Sequence, residues 1–163
     1  MAKARCIMCG REFPEKKRLR GFELCKGADI HTILPTRKTA GSAGYDLFLP
    51  FDVTIPPMCE HVIPLGIKAY MQQDEVLYIH IRSSVAFKLG LRMKNVVGVI
   101  DSDYYSNPDN DGNIGIVLMN RTGRTVELKK GERVAQGIFG KFLLVDGDHV
   151  TDERTGGMGS TGR

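Results

Sequence analysis

The apolar residues of this chain are grouped in short β-branched runs that are separated by turn residues. Runs typical of strands lie at 53–55, 61–63, 66–71, 76–81, 115–119, 125–128 and 134–139. Segments rich in Pro, Asn, Asp and Gly stand between them, among them Pro56-Pro57, residues 107–112 and Thr122-Gly123. Many short strands at close spacing predict an all-β domain, either a β-sandwich or a barrel.

One segment departs from this pattern. Residues 84–91 could form one or two helical turns, and Gly90 is expected to end them. No internal repeat is visible in the sequence. We therefore expect an N-terminal basic extension at 1–19, one β domain at 20–150 and a mobile C-terminal arm at 151–163.

Length and charge narrow the class of protein. With 163 residues, of which 42% are hydrophobic, the chain can bury one sizeable core. It has no run of eighteen apolar residues and no apolar stretch near Met1, so we expect a soluble intracellular protein, cytoplasmic by default, that does not bind membranes. The net charge of +4 arises in residues 1–20, where seven Lys or Arg face two Glu. The rest has sixteen basic and seventeen acidic residues, which disfavours a groove for long nucleic acid.

The four cysteines, Cys6, Cys9, Cys25 and Cys59, are too few for a disulfide framework in a chain of this size. Cys6 and Cys9 form one C-x-x-C hook, so a closed zinc site would need two further ligands from Cys25, Cys59 or a histidine. We expect unligated thiols in an accessory segment, with zinc binding as the alternative. The four histidines are scattered without ligand spacing and are expected to be ordinary surface or core residues.

The tail at 154–163 is rich in glycine and hydroxyl side chains and has an arginine at each end. Glycines let successive backbone N–H groups converge on one anion, and Arg154 adds a bidentate guanidinium. Ser160 and Thr161 add hydroxyl donors. A tail of this kind is more often a solvated terminus. Combined with the segments described next, it indicates an arm that closes over a polyphosphate.

Four internal segments carry candidate chemistry, at 43–47, 82–84, 95–105 and 131–136. In the strongest, 95–105, an apolar strand delivers the amide Asn95, the carboxylate Asp101 and the aromatic Tyr104. Arg82 and two serines follow another apolar strand, a suitable place to hold phosphate. Each segment alone would be interpreted as a turn or a strand end. Their combination is what favours a site.

In order and spacing, these segments and the tail resemble the five motifs of the trimeric dUTP pyrophosphatases, the dUTPases. The resemblance runs from about Gly21 to Arg163. It implies a jelly-roll-like β fold, a homotrimer with three shared active sites, and hydrolysis of dUTP to dUMP and pyrophosphate. In this family each site takes the uracil pocket from one subunit, phosphate ligands from a second and the arm from the third.

The resemblance also implies a role for each matching residue. Asp101 would be the general base that activates water for attack on the α-phosphorus. Tyr104 would stack under the deoxyribose, and Asn95 would read the uracil edge. The other substrate-binding residues implied by the match are Arg82, Ser83, Ser84, Gly98, Gln136, Arg154, Met158, Gly159, Ser160 and Thr161, with Asp46 and Arg133 in support.

The chemistry of a dNTP agrees with these roles. Its triphosphate carries close to four negative charges, so attack at the α-phosphorus requires charge neutralisation. Mg²⁺ prefers phosphate oxygens and water, and we therefore expect Mg²⁺ as the cofactor with no direct protein ligand. Asp46 would help to position its hydration shell. A single carboxylate near the attacking water contributes ~10²–10⁴-fold as a general base.

Two departures from the family pattern concern substrate contacts. Met158 stands where the family usually has an aromatic residue, so we expect weaker closure of the arm. The hairpin after Tyr104 is lengthened by residues 105–112. Its Asp109 and Asp111 lack the spacing of a calcium loop and are expected to form a polar turn.

Two other functions remain open at this point. dCTP deaminase is a relative on the same scaffold, but Val117 stands where its glutamate is expected. A regulatory module that binds a protein partner through the basic extension is the alternative of a different class. An intact Asp101 favours the enzyme, because a pure binding module would not need a general base.

Overall fold

The computed structural model describes residues 8–9, 18–152 and 154–157. This part of the chain contains eleven β-strands and one short helix. The strands are β1 (Gly21–Leu24), β2 (Tyr45–Phe48), β3 (Val53–Ile55), β4 (Glu60–Pro64), β5 (Ile67–Tyr70), β6 (Glu75–Ile81), β7 (Leu91–Met93), β8 (Val97–Asp101), β9 (Gly115–Asn120), β10 (Val126–Leu128) and β11 (Arg133–Lys141). Helix α1 (Ser83–Leu89) follows β6, and a 3₁₀ turn (Ser102–Tyr104) follows β8.

All strand pairs are antiparallel. The largest sheet has four strands in the order β2-β11-β6-β8, and a second has three in the order β4-β9-β7. Two ribbons, β1-β5 and β10-β3, complete the architecture. The all-β prediction is confirmed. Within the described residues the sheets do not close into a continuous barrel.

The core is built from alternate residues of these strands, because successive side chains of a strand point to opposite faces. In β9, Ile116, Leu118 and Asn120 are buried while the residues between them are partly exposed. Asn120 is polar, and its amide donates to the backbone oxygens of Ile55 and Arg124 at 2.8 Å each. The buried amide is therefore satisfied and ties β9 to β3.

All seven runs that the sequence predicts as strands are present, with ends that agree within two residues, and β8 is the apolar strand expected within 95–105. The helix begins at Ser83, one residue earlier than predicted, and ends at Gly90 as expected. Gly90 has φ 70° and donates its N–H to the oxygen of Ala86 at 3.2 Å. The apolar pattern missed β1, β2 and β7, whose sequences GFEL, YDLF and LRM contain no β-branched residue.

Strand β6 is an interior strand of the four-stranded sheet, and different predicted site residues lie near its two ends. Val76, near its start, is opposite Asp101 at the end of β8. The other end leads directly into Arg82. At about 3.3 Å of rise per residue, the six residues from Val76 to Arg82 correspond to about 20 Å. Asp101 and Arg82 therefore lie at opposite ends of the sheet.

None of the helices in the described part of the chain is long and apolar enough to cross a membrane.

Candidate active site

One cluster of predicted site residues lies where β2, β6 and β11 meet. Asp46 on β2 accepts from two guanidinium groups: Arg82 Nε is 2.9 Å from its Oδ1, and Arg133 Nη1 is 3.0 Å from its Oδ2. Arg82 Nη1 also reaches the backbone oxygen of Arg133 at 3.4 Å. Asp46 is mostly buried and has both oxygens occupied. It therefore fixes the direction of both arginines, while its predicted role at the hydration shell of Mg²⁺ stays a prediction.

An open cavity of about 240 Å³ lies beside this cluster and is lined by polar groups. Ser83, Gln136 and Arg82 contribute to its wall, together with Lys38, Thr39, Ser42, Gly44 and Asp46. A Cβ on Gly44 would meet the Gln136 Oε1 atom, so a larger residue there would displace the Gln136 side chain from its present position. Cations, hydroxyls and an amide around one cavity suit a phosphate chain. Ser84, half-buried on α1, lines a neighbouring cavity with Arg133.

A second cluster forms at the end of β8, around Asp101. Arg154 donates from Nη2 to Asp101 Oδ2 at 2.7 Å and from Nε to Asp103 Oδ1 at 2.8 Å. Its guanidinium carbon lies 5.6 Å from the centre of the Tyr104 ring. The two carboxylates are about half exposed, whereas the Arg154 side chain is only 10% exposed. Arg154 thus joins the predicted base to the predicted sugar platform.

Tyr104 is held rigidly by the hairpin that follows it. Its side chain is buried, its hydroxyl donates to the backbone oxygen of Asn113 at 3.1 Å, and it accepts from Asn110 Nδ2 at 2.8 Å. A buried aromatic with a satisfied hydroxyl keeps one orientation. The ring predicted to be the sugar platform is therefore fixed in position beside the guanidinium of Arg154.

Asn95 and Gly98 lie together at the start of β8. Gly98 is buried, and a Cβ there would be 3.1 Å from Ile79 Cβ and 3.8 Å from Asn95 Nδ2. Val96, between them, has φ 59°, which is costly for a β-branched residue and is typical of functional sites. Gly98 is three residues from Asp101, about 10 Å along the strand. Because the Asn95 amide lies beside Gly98, a nucleoside that spans about 10 Å could reach from this amide to Asp101.

The described part of the arm lies against the hairpin after Tyr104. Gly156 and Gly157 are buried there, and Gly157 N donates to Asp109 Oδ2 at 3.1 Å. In this single chain, the arm lies on its own Asp101, whereas the family resemblance assigned arm and base to different subunits. Met158, Gly159, Ser160 and Thr161 fall outside the described residues.

A buried ion pair anchors this hairpin to β5. Lys68 Nζ is 2.9 Å from Asp111 Oδ1 and 2.9 Å from Ser106 Oγ, and it lies 5.0 Å from the centre of the Tyr105 ring. Burial alone would lower the pKa of Lys68, but Asp111 outweighs it and the pKa is raised. The N–H of Lys26 and the Lys68 ammonium lower the pKa of Asp111. Both groups are therefore charged at neutral pH.

The structure thus divides the predicted residues between two places. Asp46, Arg82, Ser83, Arg133 and Gln136 lie at one end of β6, and Asp101, Tyr104 and Arg154 lie at the other, with Asn95 and Gly98 along β8. Sequence reasoning missed Asp103, which pairs with Arg154. It also missed the contacts of Asp109 and Lys68. The unusual length of the hairpin at 105–112 and its high content of Asn and Asp were the features of the sequence that could have indicated these contacts.

No group of three or more potential metal-ligating side chains occurs among residues 8–9, 18–152 and 154–157. Asp101 and Asp103 are the exposed carboxylates of the second cluster. Carboxylates of this kind can accept hydrogen bonds from the water shell of a hydrated ion, the binding mode that Mg²⁺ on a triphosphate requires.

The chain is similar to known proteins over most of its length. A family model described as dUTPase matches residues 31–162. The deoxyuridine 5′-triphosphate nucleotidohydrolase of Lactococcus lactis is 49% identical over 150 residues, covering 89% of this chain and 99% of that protein. The mouse protein of the same name is 36% identical over 142 residues, covering 82% of this chain and 80% of its own.

Solved structures give the same result. The crystal structure of the dUTPase from Streptococcus mutans matches with a TM-score of 0.74 at 50% identity, covering 78% of this chain and 99% of that one. The dUTPase of Staphylococcus bacteriophage 80alpha, at 21% identity, shares the fold with a TM-score of 0.66 over 82% of this chain and 96% of its own. The expected jelly-roll-like β fold is confirmed, and with the family model spanning most of the sequence, this chain belongs to the dUTPase family.

Proposed function

We propose that the protein hydrolyses dUTP to dUMP and pyrophosphate, which limits uracil in DNA and supplies dUMP for thymidylate synthesis. The observation that carries the proposal is the cluster of Asp101, Tyr104 and Arg154, where a half-exposed carboxylate lies beside a rigid aromatic platform and a nearly buried guanidinium. The relatives named as deoxyuridine 5′-triphosphate nucleotidohydrolases support it. The substrate is a soluble nucleotide, and we place the activity in the soluble interior of the cell.

Asp101 acts as the general base. A carboxylate within hydrogen-bond reach of a water can remove its proton as the oxygen attacks the α-phosphorus, and pyrophosphate leaves. Arg154 pairs with Asp101 at 2.7 Å. When dUTP binds, Arg154 transfers this hydrogen bond to phosphate oxygens and leaves the carboxylate available for the water. Asp103 retains its bond to Arg154 Nε, so the arginine stays in place during the exchange.

Phosphate charge is neutralised by the protein and by a metal. Arg82, Ser83 and Gln136 hold the phosphates from the first cluster, with Arg82 directed by Asp46. Mg²⁺ on the triphosphate, when bound, supplies further charge stabilisation through its coordinated oxygens and waters. Ser160 and Thr161 are proposed to contribute donors from the arm.

Selectivity follows from the nucleoside side of the site. Asn95 and backbone groups near Gly98 read the uracil edge, and a base that leaves a buried polar group unpaired is rejected by a factor on the order of 10⁴. Tyr104 packs against the deoxyribose and excludes a 2′-hydroxyl. Val117 on β9 carries no carboxylate, and this argues against the deamination of dCTP.

We further propose that the active protein is a homotrimer with shared sites. Two observations support this. The proposed catalytic carboxylate and the proposed phosphate-binding arginine lie at opposite ends of β6, about 20 Å apart along the strand, as expected if two protomers supply them to one site. The outer face of the β4-β9 pair carries accessible apolar side chains next to Glu60, with Val62 opposite Val117 and 58% exposed. In this proposal, the chain divides into the extension at 1–19, the β domain at 20–150 and the arm at 151–163.

A pyrophosphate-release assay with the eight common NTPs and dNTPs plus dUTP, each with and without Mg²⁺, tests the function. We expect rapid turnover of dUTP that depends on Mg²⁺ and little turnover of dCTP, dTTP or UTP. Turnover of dCTP comparable with that of dUTP, or release of ammonia, would contradict the proposal. Elemental analysis of the same sample tests the expectation that Cys6 and Cys9 hold no stoichiometric zinc.

A further inference from the structure

The lengthened hairpin at 105–112 has a structural organisation of its own. Asn107 is buried and forms its centre: its Oδ1 accepts from the backbone N–H groups of Asp109 and Asn110, and its Nδ2 donates to Tyr104 O at 2.9 Å. Gly112 has φ 77°, and a Cβ there would lie 2.7 Å from Tyr104 O. The hairpin is therefore fixed relative to Tyr104 by its own polar side chains.

The carboxylates of this hairpin are used by protein groups. Both oxygens of Asp111 accept hydrogen bonds from the Lys68 ammonium, and Oδ2 also accepts from the backbone N–H of Lys26, so this carboxylate is not available to a metal ion. Asp109 is exposed and directed the other way, towards the arm. Its Oδ2 accepts from Gly157 N at 3.1 Å.

The arm fits closely against this surface. A Cβ on Gly157 would lie 3.2 Å from both Asp109 Oδ2 and Asn110 Nδ2, so the backbone of the arm approaches the hairpin as only glycine readily allows. Gly157 is three residues after Arg154, which pairs with Asp101 and Asp103. A fixed position for Gly157 therefore restricts where the guanidinium of Arg154 can lie.

We propose that the hairpin at 105–112 is a docking site for the C-terminal arm, and that Asp109 is a positioning residue that places Arg154 at Asp101 by holding Gly157. This inference rests on the proposed function, since it concerns how the arm serves dUTP hydrolysis. It assigns a role to the extra length of the hairpin. The docking site is hydrogen-bonded to Tyr104, so a docked arm keeps a constant position relative to the Tyr104 ring.

Kinetics of full-length variants test the proposal. Asp109→Ala removes the acceptor, and we expect kcat/KM for dUTP to fall roughly 5-fold, the usual order for one partly exposed hydrogen bond to a charged group. Asp109→Asn keeps an acceptor oxygen and is expected to recover most of the loss. Asp52→Ala is the matched control: Asp52 is an exposed aspartate that also accepts a backbone N–H, from Lys130, and its removal should leave the kinetics unchanged.

A double-mutant cycle separates positioning from a structural role. Asp109 acts through Arg154 although the two do not touch, so in an Arg154→Ala background the change Asp109→Ala should lower kcat/KM by less than 2-fold. A full 5-fold loss in that background would overturn the proposal, because Asp109 would then act on the substrate or the fold directly. In an oligomer every protomer carries both changes, so the result does not depend on which chain supplies the arm.

Trypsin cleavage provides a readout without activity. Cleavage after Arg154, followed by mass spectrometry in the absence of nucleotide, should be several-fold faster in Asp109→Ala than in the wild type or Asp109→Asn. Equal cleavage rates would refute docking. If the wild-type protein failed to hydrolyse dUTP, the proposed function would fail, and this comparison would still decide whether Asp109 holds the arm.

Discussion

Asp101 and Asp103 are two exposed carboxylates that bind the same guanidinium, and we propose different roles for them. Asp101 is the last residue of β8, and Asp103 follows it on the 3₁₀ turn. The sequence identified Asp101 because it stands in an ordered motif with Asn95 and Tyr104. It could not identify Asp103, because that pairing depends on a partner 51 residues away that only the folded chain brings near.

Asp101→Asn should abolish most turnover while leaving the site assembled. The amide keeps the shape of the carboxylate but cannot take the proton, so we expect kcat to fall by ~10²-fold or more. Binding of a non-hydrolysable dUTP analogue, measured by calorimetry, should be largely retained. Asp103→Asn is the matched control, since it changes an equivalent carboxylate without removing the base, and its kcat should fall less than 10-fold. Equal losses of kcat in the two variants would contradict the assignment of Asp101 as the general base.

At the scale of elements, hydrophobic patterning was a good guide to some strands and a poor one to others. Strands such as β6 and β9 are β-branched and alternate clearly, so their position follows from the sequence. β2 has no such pattern and is a strand because Asp46 and its neighbours pair with β11. This pairing is what brings Asp46 to Arg82 and Arg133. The supporting half of the site therefore depends on tertiary contacts that local propensity does not encode.

The hairpin at 105–112 also shows that contacts between distant segments do not follow from local sequence. Its Asn- and Asp-rich sequence predicts a polar turn, and the turn is present. Its docking of the arm could not be predicted, because that contact involves Gly157 and a close backbone approach. The ion pair between Lys68 and Asp111 could not be predicted either. Lys68 is a charged residue within the otherwise apolar strand β5, and the alternation pattern predicts that such a residue lies on the surface.

Two glycine substitutions should show how much the hairpin geometry contributes. Gly112 and Gly147 have almost the same φ, 77° and 79°, but a Cβ on Gly112 would meet backbone at 2.7 Å whereas Gly147 has open space. Gly147→Ala should cost about 1 kcal/mol of the free energy of unfolding, from backbone strain alone. Gly112→Ala should cost about 3 kcal/mol, because the hairpin must also move. Denaturant unfolding measures both, and similar costs would show that the hairpin is not tightly packed on Tyr104.

At the scale of the whole molecule, the position of β6 decides how a site can be assembled. A general base must reach the attacking water directly, and that water lies at a phosphorus whose oxygens Arg82 is proposed to hold. The sheet places Asp101 and Arg82 about 20 Å apart in one chain. In the proposed trimer, a site takes Asp101 from one protomer and Arg82 from a neighbour, and two defective chains can then restore a complete site between them.

Mixing Asp101→Asn with Arg82→Ala tests this assembly. In a ring of three protomers that contains both variants, one site receives an intact Asp101 from one chain and an intact Arg82 from its neighbour. We therefore expect a co-refolded mixture to hydrolyse dUTP clearly faster than either parent. A mixture of Asp101→Asn with Asn95→Ala is the control. Both residues lie at β8 and are proposed to serve the same site from one chain, so every site of a hybrid trimer lacks one of them. If mass measurement shows hybrid trimers and the first mixture still gains no activity, Asp101 and Arg82 do not meet across a protomer boundary.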